Sequence, residues 1–323
     1  MSGNQNTIFV TGVAGFIGFH VAKALLQRNE HVIGIDNLNP YYDVSLKKAR
    51  LTQIQSDGNF AFYQEDIGNL EILKDIFSHH HIDRICHLAA QAGVRYSIQN
   101  PFVYEESNLK GFLNLLEMSR QFPVSNFVFA SSSSVYGGNT KLPFSVKDNV
   151  DTPISLYAAT KRANELMAYT YSHLYGIPLT GLRFFTVYGP WGRPDMALFL
   201  FTKAILDGRP IDIYNFGHMK RDFTYISDIV DGTVAALDTP FQYELFNLGN
   251  SKTVELMELI SIIETELDKQ AEKNFFPLQP GDVPETYADI AKTHELLGFN
   301  PKTSIREGVK EFIIWYKDYY QLP

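Results

Sequence analysis

Near its N-terminus the chain reads Ile8-Phe9-Val10-Thr11-Gly12-Val13-Ala14-Gly15-Phe16-Ile17-Gly18, an apolar run that continues through three glycines into a helix-like stretch. In a strand–turn–helix unit, Gly12 allows the tight turn, Gly15 lets the backbone approach a pyrophosphate, and Gly18 allows close packing of helix on sheet. The first N–H groups of the helix then point at the phosphates. Such glycines can also serve packing alone, but their position at the start of the chain predicts the dinucleotide-binding loop of a Rossmann-type fold.

The residues that follow this loop alternate between short β-branched runs and helix-like stretches. The candidate strands are residues 7–10, 31–35, 60–63, 84–88, 126–130 and 179–184. The candidate helices are residues 16–27, 70–79, 102–120 and 156–175. Strand–helix alternation of this kind predicts an α/β protein with a doubly wound parallel sheet and helices on both faces.

After about Pro190 the pattern becomes mixed and richer in glycine and proline. Residues 209–221 and 277–284 read as loops and short strands, whereas residues 289–298 and 304–320 look helical. We therefore expect a smaller C-terminal α/β lobe that binds the second ligand. The expected division is a dinucleotide-binding domain over residues 1–185, with parts of 222–250 returning to it, and a substrate lobe over 186–221 and 251–323.

Composition excludes several classes of protein. The 323 residues carry a net charge of −8 without a block of like charges, which argues against a nucleic-acid partner. Cys86 is the only cysteine, so neither an intrachain disulfide nor a cysteine-rich metal site can form. No apolar run approaches the roughly 20 residues that span a bilayer, and the first ten residues lack the features of a signal peptide. We expect a cytoplasmic protein without a membrane partner or a metal.

An acidic residue follows the second candidate strand. Asp36 stands where a carboxylate can accept hydrogen bonds from the adenosine ribose and repel a 2′-phosphate, and no lysine or arginine occurs between it and Lys47. This favours NAD over NADP, although an Asp before Asn37 can also simply form a turn. Asp66 and Ile67, after the third strand, are candidates for a place beside the adenine.

A tyrosine and a lysine form the candidate catalytic pair. Of 18 tyrosines, Tyr157 alone has a lysine, Lys161, four residues later. On a helix the two side chains share a face, and a nearby ammonium group lowers the pKa of a phenol. A phenolate can then remove a hydroxyl proton while a hydride leaves the same carbon. An isolated tyrosine and lysine at this spacing are also common on helix surfaces. The surrounding sequence therefore has to distinguish a catalytic pair from a surface pair.

That sequence is a strand that ends in consecutive hydroxyl groups, Phe129-Ala130-Ser131-Ser132-Ser133-Ser134-Val135-Tyr136-Gly137. The carboxyl ends of parallel strands open onto the ligand crevice. Ser132 can therefore share a hydrogen bond with a substrate hydroxyl, although a serine run can also be a polar turn or a helix cap.

Together these motifs resemble the extended short-chain dehydrogenase/reductases, an NAD-dependent epimerase/dehydratase family, over almost the whole chain. Within them the chain is most similar to the UDP-glucuronate 4-epimerases, through residues 36–43, 90–97, 183–195, 219–225 and 279–284. The resemblance implies tightly bound NAD, regenerated in each turnover. It implies cofactor contacts at Gly12, Gly15, Phe16, Ile17, Gly18, Asp36, Asn37, Asp66, Ile67, Ala89, Tyr157 and Lys161.

The resemblance also implies a reaction. Tyr157, assisted by Ser132, would take the proton of the sugar C4 hydroxyl while hydride passes to NAD. The resulting 4-keto sugar would turn over in the pocket, and hydride would return to its other face. C4 is thereby inverted, and the cofactor is restored.

Further residues match substrate contacts of similar enzymes. Ser133, Ser134 and Thr186 match positions that bind the C6 carboxylate, for which hydroxyls are neutral donors; UDP-galactose 4-epimerases usually carry Asn at the position of Thr186. The forked guanidinium group of arginine binds oxyanions through two hydrogen bonds. Arg221 matches a diphosphate contact of the family, and Arg193 and Arg95 are weaker candidates for the same role. Asp282 is the candidate acceptor for the hydroxyls of the uridine ribose. Gln279 stands where many relatives have Arg.

Other functions remain open. A 4,6-dehydratase is disfavoured, because Ser133 and Ser134 stand where it needs an acidic pair. A UDP-glucose/UDP-galactose 4-epimerase and a UDP-glucuronate decarboxylase share the 4-keto chemistry, and a non-catalytic dinucleotide-binding sensor is a more remote alternative. The resemblance implies a homodimer held by residues 102–120 and 156–175, whose apolar stripes can equally belong to the core.

Overall fold

The computed structural model describes residues 6–322, so the expectation drawn from the first ten residues lies partly outside the described chain. The strands are β1 (Thr7–Thr11), β2 (His31–Ile35), β3 (Phe60–Tyr63), β4 (Arg84–His87), β5 (Asn126–Ser132), β6 (Leu179–Phe184), β7 (Thr186–Tyr188), β8 (Ile211–Ile213), β9 (Lys220–Tyr225), β10 (Tyr243–Leu248), β11 (Thr253–Glu255) and β12 (Lys273–Phe275). The helices are α1 (Phe16–Gln27), α2 (Val44–Thr52), α3 (Leu70–His79), α4 (Val94–Gln99), α5 (Phe102–Tyr104), α6 (Gly111–Gln121), α7 (Leu156–Tyr175), α8 (Ala197–Leu206), α9 (Ile226–Asp238), α10 (Leu256–Leu267), α11 (Ala291–Leu297) and α12 (Ile305–Tyr319).

Seven strands form one parallel sheet in the order β10-β6-β5-β4-β1-β2-β3. The order 3-2-1-4-5-6 within it is that of the Rossmann fold. The six strands predicted from the sequence are all present, with boundaries that differ by two residues at most. The predicted fold class is therefore confirmed.

The sequence of the central strands explains why this sheet is buried on both faces. Phe127, Val128 and Phe129 of β5 follow one another without solvent exposure, as expected where helices cover both sides of a parallel sheet. One apolar layer joins α1 and α9 to the sheet, and the other joins α3, α6 and α7 to it. The sheet thus holds the ends of its strands rigidly between two helix layers.

The second lobe is smaller. It contains the three-stranded sheet β11-β9-β7 and the two-stranded sheet β12-β8. Its core joins α8, α10 and α12 around Phe199, Leu259 and Phe312. Short strands and turns do occupy residues 209–221, as predicted, but the sequence reading did not locate α8, α9, α10 or β10.

The single helix predicted for residues 102–120 is interrupted. A π-helical segment, Glu105–Lys110, separates α5 from α6. Within it the Asn108 side chain accepts a hydrogen bond from Gln91 N at 2.8 Å and donates to Gln91 O and Thr160 Oγ1, each at 3.0 Å. These contacts across the fold favour the wider turn, and apolar periodicity along the chain does not reveal them.

A buried arginine on α2 joins three parts of the chain. The guanidinium of Arg50 donates to the carbonyl of Ala14 in the glycine loop at 2.9 Å, to the carbonyl of Trp191 at 2.6 and 3.1 Å, and to the carbonyl of Gly192 at 3.2 Å. It also donates to the Tyr42 hydroxyl at 2.7 Å. Arg50 therefore holds the glycine loop against the segment that leads into the second lobe.

We expect Arg50→Met to lower the free energy of unfolding by roughly 3 kcal/mol, because it leaves three buried carbonyl groups without their donor. Arg28→Met is the matched control. Arg28 is an exposed arginine paired with Asp238, and its loss should cost less than about 1 kcal/mol. Urea unfolding followed by fluorescence measures both values; equal, small losses would contradict the role of Arg50.

Candidate active site

The carboxyl ends of β1, β4, β5 and β6 open onto one cavity of about 400 Å³. Most of the candidate site residues line it: Gly12, Gly15, Phe16, Ile17, Gly18, Asp36, Asn37, Asp66, Ile67, Ala89, Ser132, Ser133, Ser134, Tyr157, Lys161, Thr186 and Arg193. Residues as far apart in the sequence as Gly12 and Arg193 thus meet at the strand ends, where a doubly wound sheet binds its ligands.

The glycine loop needs its glycines for space as well as for conformation. Gly12 has φ +69°, and a Cβ atom there would lie 2.8 Å from the Cα of Ala89. A Cβ atom at Gly18 would lie 2.1 Å from the carbonyl oxygen of Gly12. Because α1 begins at Phe16, directly after a glycine, no side chain caps the first N–H groups of the helix. The loop can therefore cradle an anionic group.

The carboxylate of Asp36 holds this loop in place. Its Oδ2 accepts a hydrogen bond from Ala14 N at 3.1 Å, and its Oδ1 accepts one from Leu38 N at 2.8 Å. Asp36 thus makes the turn contact that an Asp-Asn sequence suggests, and it also lines the cavity. Nearby, the Asn37 side chain donates to Asp66 Oδ2 at 2.7 Å.

Lys47 lines the cavity. In the sequence it stands out only as the first basic residue after Asp36. It is buried and donates to the Asn39 carbonyl at 2.8 Å. Burial lowers the pKa of Lys47 below its ordinary value, and the charge of Asp36 opposes this only in part. The signal in the sequence was that Lys47 is the first cation after β2. Tyr41 and Met196 also line the cavity and were missed.

The lysine of the candidate pair bonds to the strand end. Lys161 is buried and donates to the carbonyl of Ala130 at 3.0 Å, and burial lowers its pKa to about 8. The pKa of Tyr157 is raised by burial, while a hydrogen-bonding contact with Ser132 and the charge of Arg193 act in the opposite direction. The expectation that Lys161 lowers the pKa of the phenol is therefore not met, because its side chain reaches the end of β5.

The serine run begins in β5 and ends in a 3₁₀ turn, Ser133–Tyr136. The Ser132 hydroxyl accepts a hydrogen bond from Ser134 N at 3.1 Å, so Ser132 caps this turn and also lines the cavity. We call Ser132–Ser134 the serine turn. It presents three hydroxyl groups beside Tyr157, as the sequence predicted for the end of this strand.

The candidate arginines fall into two groups. Arg193 lines the cavity, where its Nε donates to Asp195 Oδ1 at 3.0 Å; the Tyr41 hydroxyl donates to Asp195 Oδ2 at the same distance. Arg95 and Arg221 lie outside the lining of the cavity, although both are described residues.

These two arginines belong with the candidate Asp282. Arg95 pairs with Asp282 at 2.8 Å and lies 4.4 Å from the ring centroid of Tyr214, a residue that the sequence reading missed. Arg221 donates to the carbonyls of Lys220 and Pro284 at 2.9 and 3.0 Å. Burial lowers the pKa of Arg221, and the charge of Asp282 raises it while that of Arg95 lowers it, so the three groups act on one another.

The described part of the chain contains neither a cluster of metal-ligating side chains nor a helix suited to a membrane. Over residues 6–322, no three or more His, Cys, Asp or Glu side chains are grouped as metal ligands would be. None of the helices in that range has the length and apolar character needed to cross a membrane.

Comparison with known proteins gives consistent matches over nearly the whole chain. The family model described as GDP-mannose 4,6 dehydratase matches residues 9–312. UDP-glucuronate 4-epimerase 4 of Arabidopsis thaliana is 50% identical, in an alignment that covers 98% of this chain and 76% of that protein. The UDP-glucuronate 4-epimerase of Thermodesulfobacterium geofontis is 48% identical and matches 97% of both chains.

A solved structure matches the fold as a whole. It is the crystal structure of UDP-glucuronic acid 4-epimerase from Bacillus cereus in complex with UDP-glucuronic acid and NAD. The TM-score is 0.90 at 37% identity, and the match covers 97% of this chain and all of that one.

The glycine loop generates a test with a matched control. We expect Gly12→Ala to abolish dinucleotide binding, because the new Cβ atom would collide with the backbone at Ala89. Gly176 has nearly the same φ, +70°, but a Cβ atom there has no heavy atom within 4 Å. Gly176→Ala should therefore cost about 1 kcal/mol of stability and leave binding unchanged. The measurement is the dinucleotide content of an acid extract of each purified protein; retention by Gly12→Ala would contradict the assignment.

Proposed function

The chain belongs to the NAD-dependent epimerase/dehydratase family, and on that basis we propose that it is an NAD-dependent UDP-sugar 4-epimerase that interconverts UDP-glucuronate and UDP-galacturonate. The observation that carries the proposal is the meeting of Tyr157, the serine turn and Thr186 in the cavity that the glycine loop also lines. Relatives with about 50% identity that bear the name UDP-glucuronate 4-epimerase support it.

The residues at the glycine loop fit NAD. The uncapped start of α1 suits a pyrophosphate, because its first N–H groups are available as donors. The Asp36 carboxylate can accept hydrogen bonds from the hydroxyls of an adenosine ribose, and the nearby Lys47 can donate to them. Asn37, Asp66 and Ile67 would surround the adenine, and Ala89 would face the cofactor across the loop. When bound, NAD supplies the hydride acceptor and donor for C4 of the sugar.

Tyr157 would carry the proton of the C4 hydroxyl. Its phenolate accepts that proton as C4 becomes a carbonyl carbon, and the phenol returns it to O4 when C4 is reduced from the other face. The contact with Ser132 and the charge of Arg193 both lower the pKa of the phenol, against the effect of burial. Ser132 would also share a hydrogen bond with the same sugar hydroxyl.

The C6 carboxylate distinguishes the proposed substrate from a neutral sugar. Ser133, Ser134 and Thr186 offer hydroxyl donors without a full ion pair. A 4-keto uronic acid is a β-keto acid and loses carbon dioxide when its C5–C6 bond aligns with the carbonyl π-system. Donors that fix the carboxylate out of that alignment favour epimerisation over decarboxylation, and the absence of an acidic side chain at positions 133 and 134 disfavours dehydration.

The second lobe would hold the nucleotide. We propose that Arg193, Arg221 and Arg95 bind the diphosphate and that Asp282 accepts from the uridine ribose. Residues 1–185, with parts of 222–250, would then form the NAD-binding domain, and residues 186–221 and 251–323 the UDP-sugar lobe. A buried single cysteine, Cys86, is typical of reducing compartments and supports a cytoplasmic location, where UDP-sugars for polysaccharide biosynthesis are made.

Substitution of the catalytic tyrosine tests the reaction. We expect Tyr157→Phe to lower kcat for UDP-glucuronate by about 10²- to 10⁴-fold, because the phenol is the proton carrier. Tyr175→Phe, an exposed tyrosine on the same helix, is the control and should keep wild-type kcat. Chromatography of the products separates the alternatives: UDP-galacturonate means epimerase and UDP-xylose means decarboxylase. Interconversion of UDP-glucose and UDP-galactose alone would favour the neutral-sugar epimerase, and full activity of Tyr157→Phe would contradict the mechanism.

We also propose that the protein is a homodimer. The surface formed by α5, α6 and α7 exposes large apolar side chains, among them Phe102 (78% exposed), Leu166 (52%) and Tyr169 (56%). An exposed apolar face of this kind is typical of an interface. Two copies of it would pack as a four-helix bundle.

A charge in this surface should separate the subunits. We expect Leu166→Glu to shift the protein from dimer to monomer in light scattering, because the bundle would have to bury two carboxylates. Ile314→Glu, at an equally exposed apolar position (53%) on α12, is the control and should leave the mass unchanged. A wild-type monomer, or a dimer that survives Leu166→Glu, would contradict this proposal.

A further inference from the structure

Behind the serine turn lies a buried ion pair that the reaction described above does not use. Glu165 of α7 and Arg183 of β6 are 0% and 1% exposed, and the guanidinium donates in a fork, Nε to Oε1 at 2.8 Å and Nη2 to Oε2 at 2.9 Å. The cost of removing both charges from water offsets much of their attraction, so stability alone is a weak reason for such a pair.

The ion pair contacts the chain on both sides of the serine turn. Ser131, the residue before the turn, donates its hydroxyl hydrogen to Glu165 Oε1 at 2.7 Å. Tyr136 is the last residue of the 3₁₀ turn Ser133–Tyr136, which overlaps the serine turn. Its ring centroid lies 4.9 Å from the guanidinium carbon of Arg183. The buried Glu165–Arg183 pair thus contacts the chain just before the serine turn and again two residues after it.

The same helix carries the phenol. Tyr157, Lys161 and Glu165 follow one another on α7 at a spacing of four residues, which places them on one helix face. Lys161 binds the carbonyl of Ala130, and Glu165 binds the hydroxyl of the next residue, Ser131. These two contacts fix the distance between α7 and the end of β5, and therefore between Tyr157 and the serine turn.

We propose that Glu165 and Arg183 are positioning residues of the epimerase: they hold the Ser132–Ser134 hydroxyls in register with the Tyr157 phenol. The proposal rests on the proposed function. Neither side chain lines the cavity, so both act through Ser131 and Tyr136.

The decisive variant removes both charges of the pair. Arg162 also donates to Glu165 Oε2 at 3.2 Å, but its side chain is 24% exposed and keeps its pair with Asp151 at 3.3 Å, so the variant leaves no fully buried charge. Glu165→Leu combined with Arg183→Met replaces both groups by apolar ones, a change that is often neutral or stabilising for a buried pair. We expect thermal stability close to that of the wild type, but a kcat for UDP-glucuronate lower by about 10²-fold, because small displacements of catalytic groups have effects of that size. KM should change much less than kcat.

The pH profile supplies a second measurement. Because the contact with Ser132 lowers the pKa of Tyr157, a displaced serine turn should raise that pKa. The phenolate is the reactive form, so the acid limb of kcat against pH should move to higher pH in the double variant. A residue needed only for packing would leave this limb where it is.

Two further variants keep the test informative if the double variant does not fold. Ser131→Ala deletes only the hydroxyl that Glu165 binds, and it should shift the acid limb in the same direction with a smaller loss of kcat. Glu30→Gln is the control, since Glu30 forms another largely buried pair with Arg84, at 3.1 Å, away from the cavity lining. It should destabilise the protein without moving the pH profile.

The outcomes separate this inference from the proposed function. A wild-type protein that converts UDP-glucuronate, together with a folded double variant or Ser131→Ala of wild-type kcat and pH profile, would overturn the positioning role alone. A wild-type protein that does not epimerise a UDP-sugar would overturn both.

Discussion

The docking of one helix face on the carboxyl end of β5 is the constraint on which the site depends. Backbone carbonyl groups that are withdrawn from water, even in part, need hydrogen-bond donors. Lys161 satisfies the carbonyl of Ala130, and Tyr157 stands one turn earlier on the same face of α7. The contact that pairs this half-buried carbonyl therefore also places the phenol beside the serine turn.

Ion pairs also position the arginines that are candidates for binding the second ligand. The chain is acidic overall, yet Arg193 lines the cavity, and Arg95 and Arg221 lie near one another outside its lining. Two of them are held by carboxylates, Arg193 by Asp195 and Arg95 by Asp282. These pairs fix the guanidinium groups in place before a ligand arrives, so binding does not have to order long, flexible side chains.

The sequence predicted the first half of the fold closely because its signals are local. Strands such as β5 are apolar on both faces, and the glycine loop is recognised from its glycine spacing between a strand and a helix near the N-terminus. The features that escaped prediction depend on distant partners. The π-helical segment depends on hydrogen bonds from Asn108 to Gln91 and Thr160. The position of the Lys161 side chain depends on a carbonyl 31 residues earlier. The serine turn and the phenol were predicted as neighbours, whereas the ion pair behind them leaves no pattern in the sequence.

The position of β10 bears on how the molecule is made. This strand pairs with β6 at the edge of the large sheet, but the chain first builds β7, β8 and β9 in the other lobe. During synthesis on the ribosome, β6 therefore waits with an open edge until β10 emerges. Open edges of buried strands invite pairing with other chains. The nascent polypeptide thus carries this open edge while the ribosome makes the roughly 60 residues between β6 and β10.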